Sequence, residues 1–323
     1  MPIATTWSVA LFGVDGIPVE IETDISGGLP GVRLLGLPDP ALRESKDRVR
    51  AAIRNTGEDW PKRQVNLALS PAALPKGGSG YDIALACGVL AAAGTVPPAR
   101  LTNTVLLGEL ALDGRLRTVR GVLPALLAAR RAGLANAVVP EAALPEAALV
   151  TGMEIRGAST LRDILGWLRG QTDLLTTPPL QTAPEPTADT PDLRDVIGQP
   201  EARWALEVAA AGGHHLMLTG PPGTGKTMLA QRLPGLLPPL SRDESLEATA
   251  VHSVAGVLSR TGSPLVAVPP FVAPHHTTSV AALVGGGTGL AKPGAVSRAH
   301  RGILFLDEAA DFGAHRLDAL RTA

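Results

Sequence analysis

The sequence predicts two mixed units of strand and helix, an α+β unit followed by an α/β unit. Three observations carry this. Residues 1–170 alternate strand-like and helix-like segments. Residues 171–192 are rich in Pro, Thr and Asp and offer little to bury, as an interdomain linker does. In residues 193–323 an apolar strand runs into a glycine-rich loop and a helix, and a second apolar strand downstream ends in two acids. The length of 323 residues accommodates this division, because domains average about 100–200 residues.

Residues 16–25 place Ile17, Val19, Ile21 and Thr23 on one face and Glu20, Glu22 and Asp24 on the other. That period of two predicts a half-exposed strand. The GGLPG run at 27–31 is a turn cluster. Residues 41–55 form an amphipathic helix with Leu42, Val49 and Ile53 inward, stopped at Thr56-Gly57. A short strand follows at 65–69 and a buried helix at 82–93. Residues 105–112 and 115–119 read as a hairpin across Asp113-Gly114. A helix at 124–132 ends on Gly133, and 137–139 is a strand. In the second unit Pro200 opens a helix reaching Ala211, residues 216–219 form a short buried strand, and 228–233 continue as helix.

Composition excludes several classes. Hydrophobic residues are 45% and charged ones 18%, which rules out wholesale disorder, collagen and coiled coil. With 29 basic and 30 acidic side chains the net charge is −1, so no whole-chain field attracts nucleic acid or anionic membrane. Cys87 stands alone in an Ala/Val/Leu stretch, as a buried structural thiol would, and a reducing compartment fits. The N-terminus lacks a cationic leader, and the apolar stretch at 83–99 falls short of the roughly 20 residues of a spanning helix. A soluble, cytoplasmic protein is expected.

The chemistry lies in Gly220-Pro221-Pro222-Gly223-Thr224-Gly225-Lys226-Thr227. This is G-x-x-x-x-G-K-[ST] between a strand and a helix. The glycines let the backbone turn its N–H groups inward onto a polyphosphate, and the following helix, opening at Met228, adds its N-terminal dipole. Lys226 neutralises the β/γ-phosphate oxygens and Thr227 offers its hydroxyl to Mg²⁺. Residues 303–306 form a buried strand ending in Asp307 and Glu308 at its C-terminal edge, where α/β sheets bind ligands. Asp307 holds Mg²⁺ through water, and Glu308 activates the attacking water. ATP and Mg²⁺ are the expected cofactors.

Three weaker features carry less. His275-His276 would point apart on a strand with no Cys, Asp or Glu beside them in sequence, so no metal site is expected there. Residues 43–63 are a mildly basic helical face. The run Gly285-Gly286-Gly287 with Gly289 is a flexible loop.

Together these segments resemble the magnesium-chelatase-like AAA+ ATPases of the ComM/YifB type. Those carrying the resemblance in the second unit are Asp195-Val196-Ile197-Gly198-Gln199, Ser253-Val254-Ala255-Gly256, Ala273-Pro274-His275-His276-Thr277, Val284-Gly285-Gly286-Gly287 and Phe305-Leu306-Asp307-Glu308. In the first they are Gly36-Leu37-Pro38-Asp39, the arginine-rich run from Arg48 to Arg54, and the Leu74 to Gly80 turn. The resemblance implies an N-terminal domain with the fold of the Lon protease domain, then an AAA+ module with an insertion in its second helix, here placed at 261–272. It implies a hexameric ring that drives branch migration of DNA during recombination.

The Lon-type Ser–Lys dyad is missing. The serine slot falls on Gly80, with Ser79 one place early, and the lysine slot falls on Leu123. Lys76 sits too close in the same turn to serve Ser79. No peptide substrate is expected, because a serine without a base is a weak nucleophile. Two readings stand beside the DNA motor. One is a chelatase subunit that uses ATP to insert Mg²⁺ into a porphyrin. The other is a binding remnant, since the resemblance implies a sensor-1 strand, an arginine finger and a helical lid after the Asp307 strand. On that expectation the chain alone hydrolyses ATP poorly and its second unit is marginally folded.

Overall fold

A computed structural model describes residues 3–176, 191–258, 263–286 and 291–321. The chain divides into two compact units, Met1–Leu180 and Gln181–Ala323.

The first unit is built on β1 (Ala4–Phe12), β2 (Asp15–Ser26), β3 (Gly31–Leu35), α1 (Pro40–Thr56), β4 (Gln64–Ser70), α2 (Asp82–Ala92) and β5 (Thr104–Leu106). A small hairpin, β6 (Glu109–Leu110) and β7 (Leu116–Arg117), precedes α3 (Val122–Arg131) and β8 (Asn136–Pro140). A single-turn α4 (Leu144–Ala147), β9 (Glu154–Ala158), α5 (Leu161–Leu168) and β10 (Leu175–Thr176) complete it. Eight strands form one mixed sheet in the order β10-β9-β8-β5-β1-β2-β4-β3.

The sheet is covered on both faces. Gly88 of α2 backs onto Thr23 and Thr6, while Gly16 of β2 backs onto Ala128 of α3, so the two helices lie on opposite sides. Every residue of α2 is buried, and its neighbours Ile21, Leu67, Leu69 and Leu106 complete the core. Each such aliphatic side chain is worth about 1.5–3 kcal/mol when removed from water. Two polar groups inside are satisfied by backbone, the Thr6 hydroxyl donating to the Ala84 carbonyl (3.0 Å) and the Ser8 hydroxyl to that of Leu106 (3.0 Å), whereas the buried Thr23 hydroxyl has no partner among the described residues.

Most of the expected elements form, with their ends moved. The strand expected at 16–25 is β2, and Val19, Ile21, Thr23 and Ile25 are buried on its inner face. The helix expected at 41–55 is α1, begun by Asp39, whose carboxylate accepts the Leu42 N–H at 2.7 Å, and ended by Gly57 at φ 99°. The expected 105–112 strand is divided. Gly108, at φ 153°, breaks the line, so β5 enters the large sheet and the hairpin shrinks to β6 and β7. β10 pairs with β9, which draws Leu175 and Thr176 out of the expected linker; residues 177–190 lie outside the described residues.

The second unit contains α6 (Pro200–Gly212), α7 (Lys226–Ala230), α8 (Arg242–Ala255), β11 (Phe271–Val272), α9 (Val280–Val284), β12 (Gly285–Gly286), β13 (Lys292–Pro293), α10 (Ala295–Arg298), β14 (Ile303–Leu304) and α11 (Gly313–Leu320). Its ladders are two residues long: β11 pairs with β14 in parallel and β12 with β13 antiparallel. The expected strand at 216–219 is corrected here: those residues carry no strand pairing, and Met217 is 83% exposed. The expected buried strand at 303–306 is shortened to Ile303–Leu304 with one further bond from the Phe305 N–H, and its four residues are half-buried rather than buried. Of the expected 261–272 insertion, 261–262 lie outside the described residues, as do Gly287 and Gly289. Among the described residues no helix is long and apolar enough to cross a membrane.

Candidate nucleotide site

The site in the second unit starts from a small apolar cluster. Leu193, Val196, Leu206 and Leu229 are buried together, with Met228, Leu218 and Leu233 against them. This cluster fixes α7 beside α6. Met228 spends its side chain on this packing and so brings only its backbone to the loop.

The loop from Gly220 to Gly225 precedes α7. Gly220 (φ 154°), Gly223 (φ 80°) and Gly225 (φ 81°) hold conformations that disfavour any side chain. Thr224 closes the loop by donating its hydroxyl to the Pro221 carbonyl at 3.0 Å. Gln199 adds a brace from the segment before α6, its amide donating to the Thr224 carbonyl at 2.9 Å. Pro221 and Pro222 are exposed at the loop tip. The Lys226 ammonium folds back onto the loop, donating to the carbonyls of Gly220 (2.8 Å) and Pro221 (2.9 Å).

The acidic strand end meets this loop. The Thr227 hydroxyl donates to the Asp307 carboxylate at 3.0 Å, across 80 residues of sequence. The Glu308 N–H donates to the other Asp307 oxygen at 3.1 Å, and Glu308 itself takes a left-handed φ of 50°. β14 is set in place by β11: the Ile303 N–H donates to the Pro270 carbonyl (2.8 Å), the Phe305 N–H to that of Val272 (2.9 Å), and the Phe271 and Phe305 rings stack at 5.6 Å. Gly302 permits this approach, because a Cβ there would stand 2.1 Å from the Pro270 carbonyl oxygen.

One grouping escaped the sequence. His276, Glu308 and Asp311 bring one ligand atom each within 4.8 Å of one another. The expectation that His276 has no acid beside it is therefore corrected. The acids reach it through the β11–β14 pairing rather than through sequence proximity. The one local signal for it is the short apolar pair Phe271-Val272, too short to predict a strand by itself.

In the first unit, the turn residues Lys76 and Ser79 each have a partner. Lys76, fully buried, donates to the carbonyls of Leu69 (3.0 Å) and Pro71, and burial lowers its ammonium from the ordinary lysine value. Ser79 donates to Glu109. The Gly80 carbonyl accepts the Gly108 N–H at 3.1 Å, and Leu123 is buried in α3.

The second unit brings a glycine-rich loop against an acidic segment that follows a short parallel strand, and comparison with known proteins narrows the class. A family model described as Magnesium chelatase, subunit ChlI matches residues 192–323, and one described as Subunit ChlI of Mg-chelatase matches residues 21–143. An uncharacterized protein of Mycobacterium tuberculosis is 63% identical over all of this chain and 63% of its own length. Competence protein ComM of Haemophilus influenzae is 42% identical over 99% of this chain and 63% of its own length. The chain thus belongs to the magnesium-chelatase-like family of the ComM/YifB type, and it spans just under two thirds of those relatives. Lon protease of Mycolicibacterium smegmatis is 28% identical over 49% of this chain and 21% of its own length.

Proposed function

We propose that this chain binds ATP with Mg²⁺ at the Gly220–Met228 loop and forms part of an AAA+ motor acting on DNA. The observation that carries the reading is the Thr227–Asp307 hydrogen bond, which joins the loop to the acidic strand end. These donors are a hydroxyl and a carboxylate, hard oxygens that suit Mg²⁺. Bound Mg²⁺ supplies charge neutralisation at the phosphates. The chain's own groups do the rest. Lys226 would exchange its two loop carbonyls for phosphate oxygens, so that its charge meets an anion in place of neutral carbonyls. The N–H groups from Gly223 to Met228 offer donors to the same anion. Glu308 accepts the proton of an attacking water.

In this reading the first unit has the fold of a Lon protease domain without its dyad, which the partial likeness to Lon supports. The DNA role rests on the likeness to a relative named as a competence protein. Assembly into a hexameric ring follows the AAA+ reading. The second reading, a chelatase subunit acting on porphyrin, draws on the family descriptions alone.

Equilibrium binding of a fluorescent ATP analogue tests the core of this. The chain should bind it in a Mg²⁺-dependent manner, and Lys226→Ala should weaken binding at least tenfold, the equivalent of about 1.4 kcal/mol. Equal affinity of parent and Lys226→Ala would refute the site. ATP turnover stimulated by DNA would favour the motor, and turnover stimulated only by porphyrin and partner subunits the chelatase.

A further inference from the structure

We infer that His276, Glu308 and Asp311 form a site for a borderline transition-metal ion, represented by Zn²⁺. The three side chains come from the turn after β11, the turn that follows β14 and the 3₁₀ turn at Ala309–Phe312. Parallel pairing of Val272 with Leu304 aligns the two strand ends, and the Asp311 N–H donates to the Glu308 carbonyl at 2.8 Å, which fixes the spacing of the two acids.

Their ligand atoms lie within 4.8 Å of one another. A tetrahedral ion with bonds of about 2.0–2.2 Å holds its ligands roughly 3.4 Å apart, so small side-chain rotations close the set. All three side chains are exposed or half-buried and free to make them. Among the described residues neither carboxylate is paired with a Lys or Arg, so their negative charge is left for a cation. The imidazole decides which cation. One nitrogen with two carboxylates suits Zn²⁺ or Mn²⁺, whereas Mg²⁺ and Ca²⁺ take oxygen ligands. His275 supplies no ligand atom, its Nδ1 being paired to the Thr277 hydroxyl at 2.8 Å; rather than pointing away as a strand would have it, its ring lies 4.1 Å from that of His276.

The consequence rests on the nucleotide reading: an ion held here occupies the Glu308 carboxylate and withdraws it from water activation. Zinc then restrains hydrolysis. The site itself is tested without nucleotide. The 323-residue chain is titrated with Zn²⁺ by calorimetry in excess Mg²⁺. Saturable one-to-one binding is expected, weakened at least tenfold by His276→Ala and by Asp311→Asn. The two variants are checked for parental circular dichroism, so a folding defect in one leaves the other to decide. Absence of saturable binding, or parental affinity in whichever variant is folded, would overturn the site whether or not Glu308 serves ATP hydrolysis.

Discussion

Asp82 opens the fully buried helix α2 and is itself 0% exposed. Its carboxylate accepts three hydrogen bonds: Arg48 Nε at 3.0 Å, a second Arg48 nitrogen at 3.2 Å, and the Leu110 N–H at 3.1 Å. The pair ties α1 to α2 and to the β6–β7 hairpin. Removing one partner of a buried pair costs about 3–5 kcal/mol, because the other charge is left unpaired. Arg48 retains 22% exposure and a bond to Ser45 at 2.7 Å, so the lower end applies. Asp82→Ala should therefore destabilise the first unit by about 3 kcal/mol, or roughly 6–12 °C in its midpoint for a unit of this size. Replacing both partners, Arg48→Met with Asp82→Leu, should recover much of this, since apolar replacements of buried pairs are often neutral.

The same residue fixes a pH signature. Burial raises the Asp82 carboxyl above its ordinary value, and Arg48 offsets this only in part. A group with a raised folded value brings stability that is complete below its unfolded value, about 3.9, and lost as pH rises through the folded one. The parent should thus lose stability relative to Asp82→Asn on going upward from about pH 4. Chemical denaturation, followed by the first unit's circular dichroism, measures both effects. An Asp82→Ala chain within about 1 kcal/mol of parent, outside the range for a broken buried pair, would refute the reasoning. The exposed pair Arg115–Asp113 is the control, and Asp113→Ala should leave the transition unmoved.

Calorimetry should resolve two transitions, the second unit melting first on its two-residue ladders, and ATP at about 100 times its Kd should raise only that one, by about 2.7 kcal/mol. Gly302→Ala should destabilise the second unit by about 1–3 kcal/mol and leave the first untouched, as read from the same melts. The Cys87 thiol, fully buried and pushed up to about 12, should resist a thiol reagent at pH 8 until denaturant opens the first unit, so prompt labelling of the native chain would contradict the buried placement.

What could be read from the sequence followed the strength of local signals. β2 and α1 announce themselves because one face of each meets water, which imprints a period on the residues. β1 escaped notice because ATTWSVALF is buried on both faces near its middle, so alternation is lost. The strand expected at 216–219 shows the reverse error. Four apolar residues invite a strand, but a strand exists only when a neighbour takes its hydrogen bonds, and the described residues give that segment none. At the candidate site, the loop residues and Asp307 were legible because phosphate chemistry constrains residue type and spacing together. His276 and Asp311 were not, since their meeting depends on which strands pair. That is a fact of topology.

Gly302 shows where authority over the acids resides. It has no functional group, and its near-contact with Pro270 sets how closely β14 lies to β11. Asp307 and Glu308 are carried on the same short stretch of backbone, so any bulk at 302 displaces them as a pair. A side chain at 302 is thus felt five residues downstream at the two acids, and a survey of functional groups alone would overlook the position that aims them.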